Sequence, residues 1–259
     1  MDLQLAERAF FVTGGSRGIG KAICELLLAE GASVSTCSRN GEGLNAAWAD
    51  LTDQTRRRFS LAQVDVLDAS SLVEVLHQTA ERFGRLDGVV ANAGVGIAGG
   101  VLDTPLLSWT DQFEVKIHSV LNVVRPVVSL LSNSDAGRVV IINGTTAWRP
   151  DPEFAAVSAA RAAVLNLSRS LATTLAAYSI CVNTVNLGPI VTDRQRERYA
   201  RSGKTLAFED WCNQAARRRG VLLGRMGRPA EVAPVVALLL SPLSSYLTGA
   251  AIDVSGGGG

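Results

Sequence analysis

The sequence predicts an α/β protein with a doubly wound parallel sheet and helices on both faces. Short apolar runs, typical of buried strands, alternate along the chain with longer segments of helical period. A cluster of glycines follows the first apolar run directly, as in a tight turn from strand to helix. The 259 residues, 47% of them hydrophobic, are enough for one large core, and no low-complexity stretch divides them. We therefore expect a single domain over residues 1–259.

The apolar runs predict about seven strands. They cover residues 9–13, 33–37, 58–64, 88–91, 139–143, 181–185 and 250–254. Because helical segments separate the runs, neighbouring strands should be parallel and joined by right-handed crossovers. Ligands bind outside the carboxyl ends of the strands in such sheets, so residues directly after a strand are the candidates for chemistry.

The helices follow from apolar spacing and from stop signals. In the first helix Ile19, Ile23 and Leu26 recur at helical spacing, and Gly31 ends it. A polar helix is expected between the second and third strands. The other predicted helices cover residues 72–83, 106–131, 153–177 and 230–240. The segment between the sixth strand and the last helix is expected to be irregular.

The loop after the first strand reads Thr-Gly-Gly-Ser-Arg-Gly-Ile-Gly, from Thr13 to Gly20. Glycines at such a place let the backbone turn tightly and approach a pyrophosphate, which then lies at the positive end of the following helix. Glycines alone also suit a plain turn. Their position between a strand and a helix near the N-terminus favours a dinucleotide site.

With these motifs, and with others in the same order, the chain resembles the short-chain dehydrogenase/reductases over almost its whole length. The glycine loop fits that family's pattern, Asp65-Val66 follows the third strand, and Ala91-Asn92-Ala93-Gly94 follows the fourth. The segment 183–192 is similar to the loop on the nicotinamide side. The resemblance implies a Rossmann-type fold and hydride transfer between a nicotinamide cofactor and a carbonyl or alcohol carbon. The cofactor-binding residues that it implies are Gly14, Ser16, Arg17, Gly18, Ile19, Gly20, Ser38, Arg39, Asp65, Val66, Asn92, Ala93, Gly94, Arg161, Gly188, Ile190 and Thr192.

The end of the second strand predicts NADP(H) rather than NAD(H). A carboxylate there would accept both ribose hydroxyls of NAD and repel a phosphate, but this chain has Ser38 followed by Arg39. Together with Arg17, Arg39 offers two guanidinium groups for charge-assisted bonds to a 2′-phosphate. The alternative is that both are solvated surface arginines.

The family's catalytic residues do not align with their usual types. The resemblance places Val157 at the position of the tyrosine that moves the proton and Arg161 at that of its lysine, with Thr146 as the serine and Lys116 as the asparagine. Threonine keeps a hydroxyl and arginine keeps a charge, but valine has no proton to give. Loss of a positioned general acid typically costs about 10²–10⁴-fold in rate.

Three interpretations remain open for the function. The first is an oxidoreductase with a non-standard proton path through Lys116, Ser158, Arg161 or the substrate, acting on a carbonyl, an alcohol or a conjugated alkene. The second is an inactive NADP(H)-binding paralogue that serves as the partner subunit of an active relative. The third is an isomerase or cyclase on the same scaffold.

Residues from about 190 to 220 correspond to the family's substrate loop, where short helices are expected. The segment has eight basic and four acidic residues, which is consistent with an anionic small-molecule substrate such as a carboxylate or an acyl thioester. A solvated helical face would have the same composition. Phe208 and Trp211 either cover the nicotinamide or anchor a helix. The basic residues are Arg194, Arg196, Arg198, Arg201, Lys204, Arg217, Arg218 and Arg219.

The remaining expectations concern compartment and assembly. The net charge of +1 argues against nucleic-acid or membrane-surface binding, and no uncharged apolar run reaches the ~20 residues of a membrane span. Four scattered cysteines predict buried, reduced thiols in a cytoplasmic protein, and two distant histidines predict no metal site. The resemblance implies a homotetramer or dimer, or a mixed assembly with a relative. Its pairing helices would carry Val120, Val123, Val124, Val127 and Val128 on one and Val164, Leu165, Leu167, Leu171 and Leu175 on the other.

Overall fold

A seven-stranded parallel sheet forms the centre of the protein, as expected from the sequence. The computed structural model describes residues 1–203 and 205–258. The strands are β1 (Ala9–Thr13), β2 (Ser33–Ser38), β3 (Phe59–Gln63), β4 (Gly88–Ala91), β5 (Arg138–Gly144), β6 (Cys181–Leu187) and β7 (Ala251–Val254). They lie in the order β3-β2-β1-β4-β5-β6-β7, with every pair parallel. The predicted bounds are the same for β1 and β4 and differ by one or two residues at the ends of the others.

Ten α-helices connect and cover the strands within the described residues. They are α1 (Gly18–Ala29), α2 (Gly41–Ala47), α3 (Asp53–Arg57), α4 (Ala69–Phe83), α5 (Leu106–Val124), α6 (Val128–Ser132), α7 (Ala155–Leu175), α8 (Asp193–Arg201), α9 (Phe208–Arg218) and α10 (Pro229–Leu240). The predicted long helix over 106–131 is interrupted because Pro126 lies in a short 3-10 turn between α5 and α6. The one polar helix predicted after β2 is two short ones. The segment after β6, which is irregular by its apolar pattern, contains α8 and α9, where the resemblance implies short helices.

Both faces of the sheet are covered by apolar side chains, so the strands are buried throughout the centre. Phe10 and Val12 of β1 pack with α1 and α10 on one face, whereas Phe11 packs with α4, α5 and α7 on the other. This alternation follows from the two-residue period of a strand. Burying such aromatic and branched side chains contributes about 1.5–3 kcal/mol each to folding.

The helical segment Leu106–Ser132 is long and apolar enough to cross a membrane by length and composition. Val120, Val123, Val124 and Val127 of this segment are buried against the sheet, whereas Leu106, Leu107 and Phe113 at its N-terminal end are exposed. In the predicted pairing helices most residues thus cover the sheet of the same chain. Those that stay partly accessible are Val128, Leu165, Leu167 and Leu171.

The strand order reverses between β1 and β4, and this is where the sheet opens toward a ligand. Thr13 and Asn92 fasten the two strand ends together. Asn92 Nδ2 donates to the Thr13 carbonyl at 2.8 Å, and the backbone N–H groups of Asn92 and Ala93 both donate to Thr13 Oγ1 at 2.9 Å. The loops that follow β1 and β4 are therefore held in fixed positions on either side of the crevice.

The cysteines are free thiols, but their burial differs from the expectation at one position. Cys24, Cys37 and Cys212 are buried, whereas Cys181 at the start of β6 is only half-buried. Among the described residues, no group of three His, Cys, Asp or Glu side chains is placed to hold a metal ion.

Candidate active site

One large cleft lies along the carboxyl ends of the strands, with a volume of about 1170 Å³. Of the residues that the sequence analysis considered for catalysis, Ser158 lies outside this cleft; it is 3% exposed, and its Oγ accepts a hydrogen bond from the backbone N–H of Asp151 at 3.2 Å. The other residues that the sequence assigned to the cofactor or to catalysis line the cleft. On the cofactor side these are Gly14, Ser16, Arg17, Gly18, Ile19, Gly20, Ser38, Arg39, Asp65, Val66, Asn92, Ala93, Gly94, Gly188, Ile190 and Thr192, and on the catalytic side Lys116, Thr146, Val157 and Arg161. Residues far apart in sequence thus meet because parallel strands end at one edge of the sheet.

The glycine loop between β1 and α1 has the backbone that a pyrophosphate site requires. Gly14 and Gly18 have φ angles of +76° and +57°, which are unfavourable for residues with a side chain. A Cβ at Gly20 would lie 2.6 Å from Asn92 Nδ2, so the first turn of α1 packs directly on the loop after β4. No side chain caps the N-terminus of α1. Its N–H groups therefore remain available to a phosphate, and the loop fits the dinucleotide implied by the sequence.

The adenosine end of the cleft contains both arginines that predict NADP(H). Arg17 pairs with Glu197 of α8 at 3.0 Å, and the Arg39 guanidinium lies 3.9 Å from the Asp65 carboxylate. Both arginine side chains are well exposed, at 60% and 66%. Ser38 contributes a hydroxyl 3.3 Å from that of Ser16 and no negative charge. A 2′-phosphate would thus meet two mobile guanidinium groups and compete with two carboxylates for them.

Lys116 reaches the catalytic end of the cleft from α5. Its Nζ donates to the carbonyl of Val95 at 2.9 Å, and the side chain is half-buried. A Cβ at Gly94 would lie 2.9 Å from Nζ, so the glycine leaves the space that the ammonium group occupies. Burial, and then the guanidinium groups of Arg161 and Arg194, lower the pKa of Lys116 to about 7.

Arg161 of α7 lies against the end of β5. Its Nη1 donates to Thr146 Oγ1 at 3.0 Å. Because a guanidinium group only donates, Thr146 accepts here and its own hydroxyl hydrogen can point to a ligand. Burial, followed by Arg194 and Arg198, lowers the pKa of Arg161 to about 10, so it is charged at neutral pH.

Gly144 is a site residue that the sequence analysis missed. A Cβ there would lie 2.5 Å from Arg161 Nη1, so the guanidinium group occupies the place of a side chain. The backbone of Gly144 is extended, with φ −154°. The signal in the sequence is a glycine at the end of a predicted strand. Where the backbone conformation does not require glycine, such a residue indicates that another group approaches the strand closely.

Val157 forms an apolar part of the cleft wall and is 3% exposed. A Cβ at Gly96 would lie 3.3 Å from its Cγ2, so the loop after β4 packs over it.

The expected substrate loop, residues 190–220, contains α8 and α9, which close one side of the cleft. Of its basic residues, Lys204 lies outside the described part of the chain. Tyr199 contacts Phe208 and Trp211 edge-on, with ring centroids 5.3 and 5.8 Å apart. Phe208 and Trp211 thus anchor α8 on α9, and Trp211 also lines the cleft. On the opposite side, Arg194 Nη2 donates to the Gly94 carbonyl at 3.2 Å.

Comparison with known proteins identifies similar sequences over nearly the whole chain. The family model described as enoyl-(acyl carrier protein) reductase matches residues 14–258. The 3-oxoacyl-(acyl-carrier-protein) reductase FabG of Chlamydia muridarum is 30% identical over 257 residues, which are 99% of each protein. The enzyme of that name from Escherichia coli K12 is 31% identical over 250 residues, 95% of each.

Solved structures with the same fold include a short-chain oxidoreductase from Pseudomonas aeruginosa PAO1 that is described as containing an atypical catalytic center. Its NADPH-bound structure has a TM-score of 0.91 and 37% identity, covering 97% of this chain and 96% of that one. Its apo structure has a TM-score of 0.89 and 36% identity over 98% and 97% of the two chains. The L-sorbose reductase of Gluconobacter frateurii, complexed with NADPH and L-sorbose, has a TM-score of 0.93 and 25% identity over 100% and 98%.

Proposed function

Because the chain belongs to the short-chain dehydrogenase/reductase family and is an oxidoreductase of that type, we propose that it uses NADP(H) and that Lys116 moves the proton. The observation that carries the proposal is the position of Lys116, whose Nζ lies in the cleft beside Gly94. The positive charges of Arg161 and Arg194 are close enough to lower its pKa. The NADPH in the similar Pseudomonas aeruginosa structure supports the cofactor assignment, as do Arg17 and Arg39.

The missing tyrosine hydroxyl is the reason that another proton donor is needed. Val157 occupies the family's tyrosine position and Arg161 that of its lysine, so the usual pair is absent from this chain. The arginine stays charged near neutral pH and holds its proton firmly. Lys116, whose pKa is about 7, is charged and uncharged in similar amounts there and suits general acid or base catalysis.

The residues of this chain then have distinct tasks in the reduction of a carbonyl group or conjugated alkene. The bound cofactor supplies the hydride. The Thr146 hydroxyl, polarised by Arg161, donates a hydrogen bond to the substrate oxygen. Lys116 Nζ delivers the proton to the oxygen or carbon that becomes negative, and Val157 excludes water from the reacting carbon.

The experiment compares NADPH oxidation by the unaltered protein and by Lys116→Gln, with a panel of carbonyl and enoyl compounds. The variant should lose about 10²-fold or more in kcat, because it lacks a general acid. Its Kd for NADPH should stay within about twofold, because loss of the proton donor leaves the phosphate contacts intact.

Lys21→Gln is the matched control. Lys21 lies on α1, pairs with Glu25 and lies over the ring of Trp48, outside the cleft. Its loss should leave turnover unchanged. Turnover of the panel that survives Lys116→Gln would refute the proton path, and NADPH binding without any turnover would favour the inactive paralogue.

A further inference from the structure

A second group of charges lies around Phe154, at the N-terminal end of α7 and outside the assigned catalytic residues. The Arg198 and Arg219 guanidinium carbons lie 4.8 and 5.9 Å from the centre of the Phe154 ring. Arg219 Nε is 3.4 Å from Asp151 Oδ2. Phe154, Arg198, Arg219 and Asp151 all line the cleft, and we call them the Phe154 cluster.

Positive charge exceeds negative charge in the cleft that contains this cluster. Among the described residues that line the cleft, ten are Lys or Arg and four are Asp or Glu. Burial, and then the charges of Arg219 and Arg194, lower the pKa of Arg198, and Asp151 is the carboxylate that opposes them. Two guanidinium groups therefore share one carboxylate, in a region where water screens charges less than at an open surface.

Contact with the aromatic ring leaves the guanidinium groups able to bind an anion. A guanidinium over a ring face keeps its N–H edge free, because the cation–π contact uses the flat face. The planar edge then matches the two oxygens of a carboxylate or a phosphate. Arg198 and Arg219 come from α8 and from the residue after α9, so a bound anion would also join these two helices to α7.

The cluster lies on the same wall as the catalytic residues. Phe154 is the N-cap residue of α7, and Val157 and Arg161 follow it in the first two turns of the helix. All three line the cleft, together with Thr146. Arg161, which binds Thr146, is also within electrostatic reach of Arg198 and Asp151. A substrate in this cleft is therefore close to both the Phe154 cluster and the catalytic candidates.

We propose that the Phe154 cluster binds the carboxylate or phosphate group of a small carbonyl substrate, through Arg198 and Arg219. The carbonyl end of this assignment rests on the proposed function. In the absence of substrate the Asp151 carboxylate pairs with Arg219, and the anionic group of the substrate replaces this carboxylate. The cluster thus selects anionic substrates over neutral ones of the same shape.

The test measures binding without turnover, by calorimetry on the protein saturated with NADP⁺. A ketone and NADP⁺ are both oxidised, so no hydride transfer accompanies binding. The probes are two pairs, acetoacetate with its methyl ester and dihydroxyacetone phosphate with dihydroxyacetone. The charged member of at least one pair should bind about tenfold or more tightly than its neutral partner, as charge-assisted hydrogen bonds imply. The pair that responds identifies carboxylate or phosphate.

Variants assign the preference to the cluster. Arg198→Gln and Arg219→Gln should each reduce the affinity for the charged probe about tenfold. Arg196→Gln, on the same helix but stacked on Phe208 outside the cleft, should leave it unchanged. Asp151→Asn removes the competing carboxylate and should tighten binding about threefold, a gain that misfolding would not produce.

Equal binding of charged and neutral probes, or no binding of either charged probe, would overturn the assignment. So would an equal loss in Arg196→Gln, since bulk charge would then explain the effect. These results do not depend on turnover. An anion preference in a protein that never oxidises NADPH would support the cluster and refute the proposed function.

Discussion

Lys116 is the residue whose chemistry depends most on its surroundings. Because its pKa is about 7, the ammonium form is present below neutral pH and disappears as the pH rises through that value. For reduction the charged form is the acid, so kcat/KM should fall above about pH 7, where an unperturbed lysine would still be protonated. A pH profile of NADPH-dependent reduction checks this.

The charged neighbours of Lys116 allow the inflection of this pH profile to be assigned to Lys116. Arg161 and Arg194 both lower its pKa, and Arg194 is the one that makes no contact with Thr146. Arg194→Gln should therefore move the inflection of the profile to higher pH. An inflection that stays in place in this variant would contradict the role of Lys116 in the titration.

The choice of cofactor is a second prediction at the residue scale, and it rests on Arg17 and Arg39. The unaltered protein should bind NADPH more tightly than NADH, and the double variant Arg17→Ala with Arg39→Ala should lose most of the difference. Each charged hydrogen bond to the 2′-phosphate is worth about 1.5–3 kcal/mol. Calorimetry with both cofactors measures this.

The double variant Arg57→Ala with Arg169→Ala is the charge-matched control for that experiment, since both arginines are exposed and lie outside the cleft. Equal affinity of the unaltered protein for the two cofactors would refute the NADP(H) assignment. A loss in the control as large as in the test variant would attribute the preference to net charge alone.

Among the helices, α8 connects the cofactor side of the cleft with the substrate side. It contacts Arg17 through Glu197, and its Arg194 donates to the Gly94 carbonyl across the crevice. Charged side chains dominate its sequence, so it has no apolar period from which a helix could be predicted. Asp193 in its first turn and basic residues in its last favour the helix through its dipole.

The pair of Arg17 and Glu197 predicts that α8 competes with the cofactor phosphate. Glu197→Gln should free Arg17 and raise the affinity for NADPH by up to about fivefold, since an exposed ion pair is worth about 0.2–1 kcal/mol. The affinity for NADH should not change. Fluorescence titration with both cofactors measures this, with Glu209→Gln on α9 as control. Unchanged or weaker NADPH binding in Glu197→Gln would show that the two do not compete.

The whole molecule leaves its C-terminal region partly uncovered. The edge strand β7 alternates between exposed and half-buried residues, and Tyr246 before it is fully exposed, with Leu243 and Leu247 about half exposed. Large apolar side chains grouped on a surface mark contacts between proteins. We therefore keep the family-based expectation that copies of this chain pair here, as a homodimer or homotetramer.

Light scattering after gel filtration tests this assembly. The unaltered protein should have the mass of two or four chains at micromolar concentration, and Leu243→Glu with Tyr246→Glu should lower it, because buried like charges repel. Gln54→Glu with Gln78→Glu, both exposed on other helices, controls for the two added charges. A monomeric unaltered protein would contradict the prediction, and a mixed assembly would require a relative to copurify.

The sequence by itself determined the strands of the sheet, the long helices between them and the loop that suits a dinucleotide. Strand and helix periods are local patterns, and the bounds of β1 and β4 follow from them residue by residue. Glycines at Gly14 and Gly18 likewise reflect a local backbone conformation. The catalytic candidates were selected through the resemblance to the family's motifs, which are also short stretches of sequence after a strand or on the helix beside it.

Only the tertiary structure decided what surrounds those residues. Arg17 and Glu197 are 180 residues apart in sequence, and Arg219 reaches Asp151 across 68. Such contacts depend on how the connections pack, which no local pattern records. The lowered pKa of Lys116 and the gathering of Arg198 and Arg219 around Phe154 arise in the same way. Burial and neighbouring charge are properties of the assembled cleft, so they appear only when the whole chain has folded.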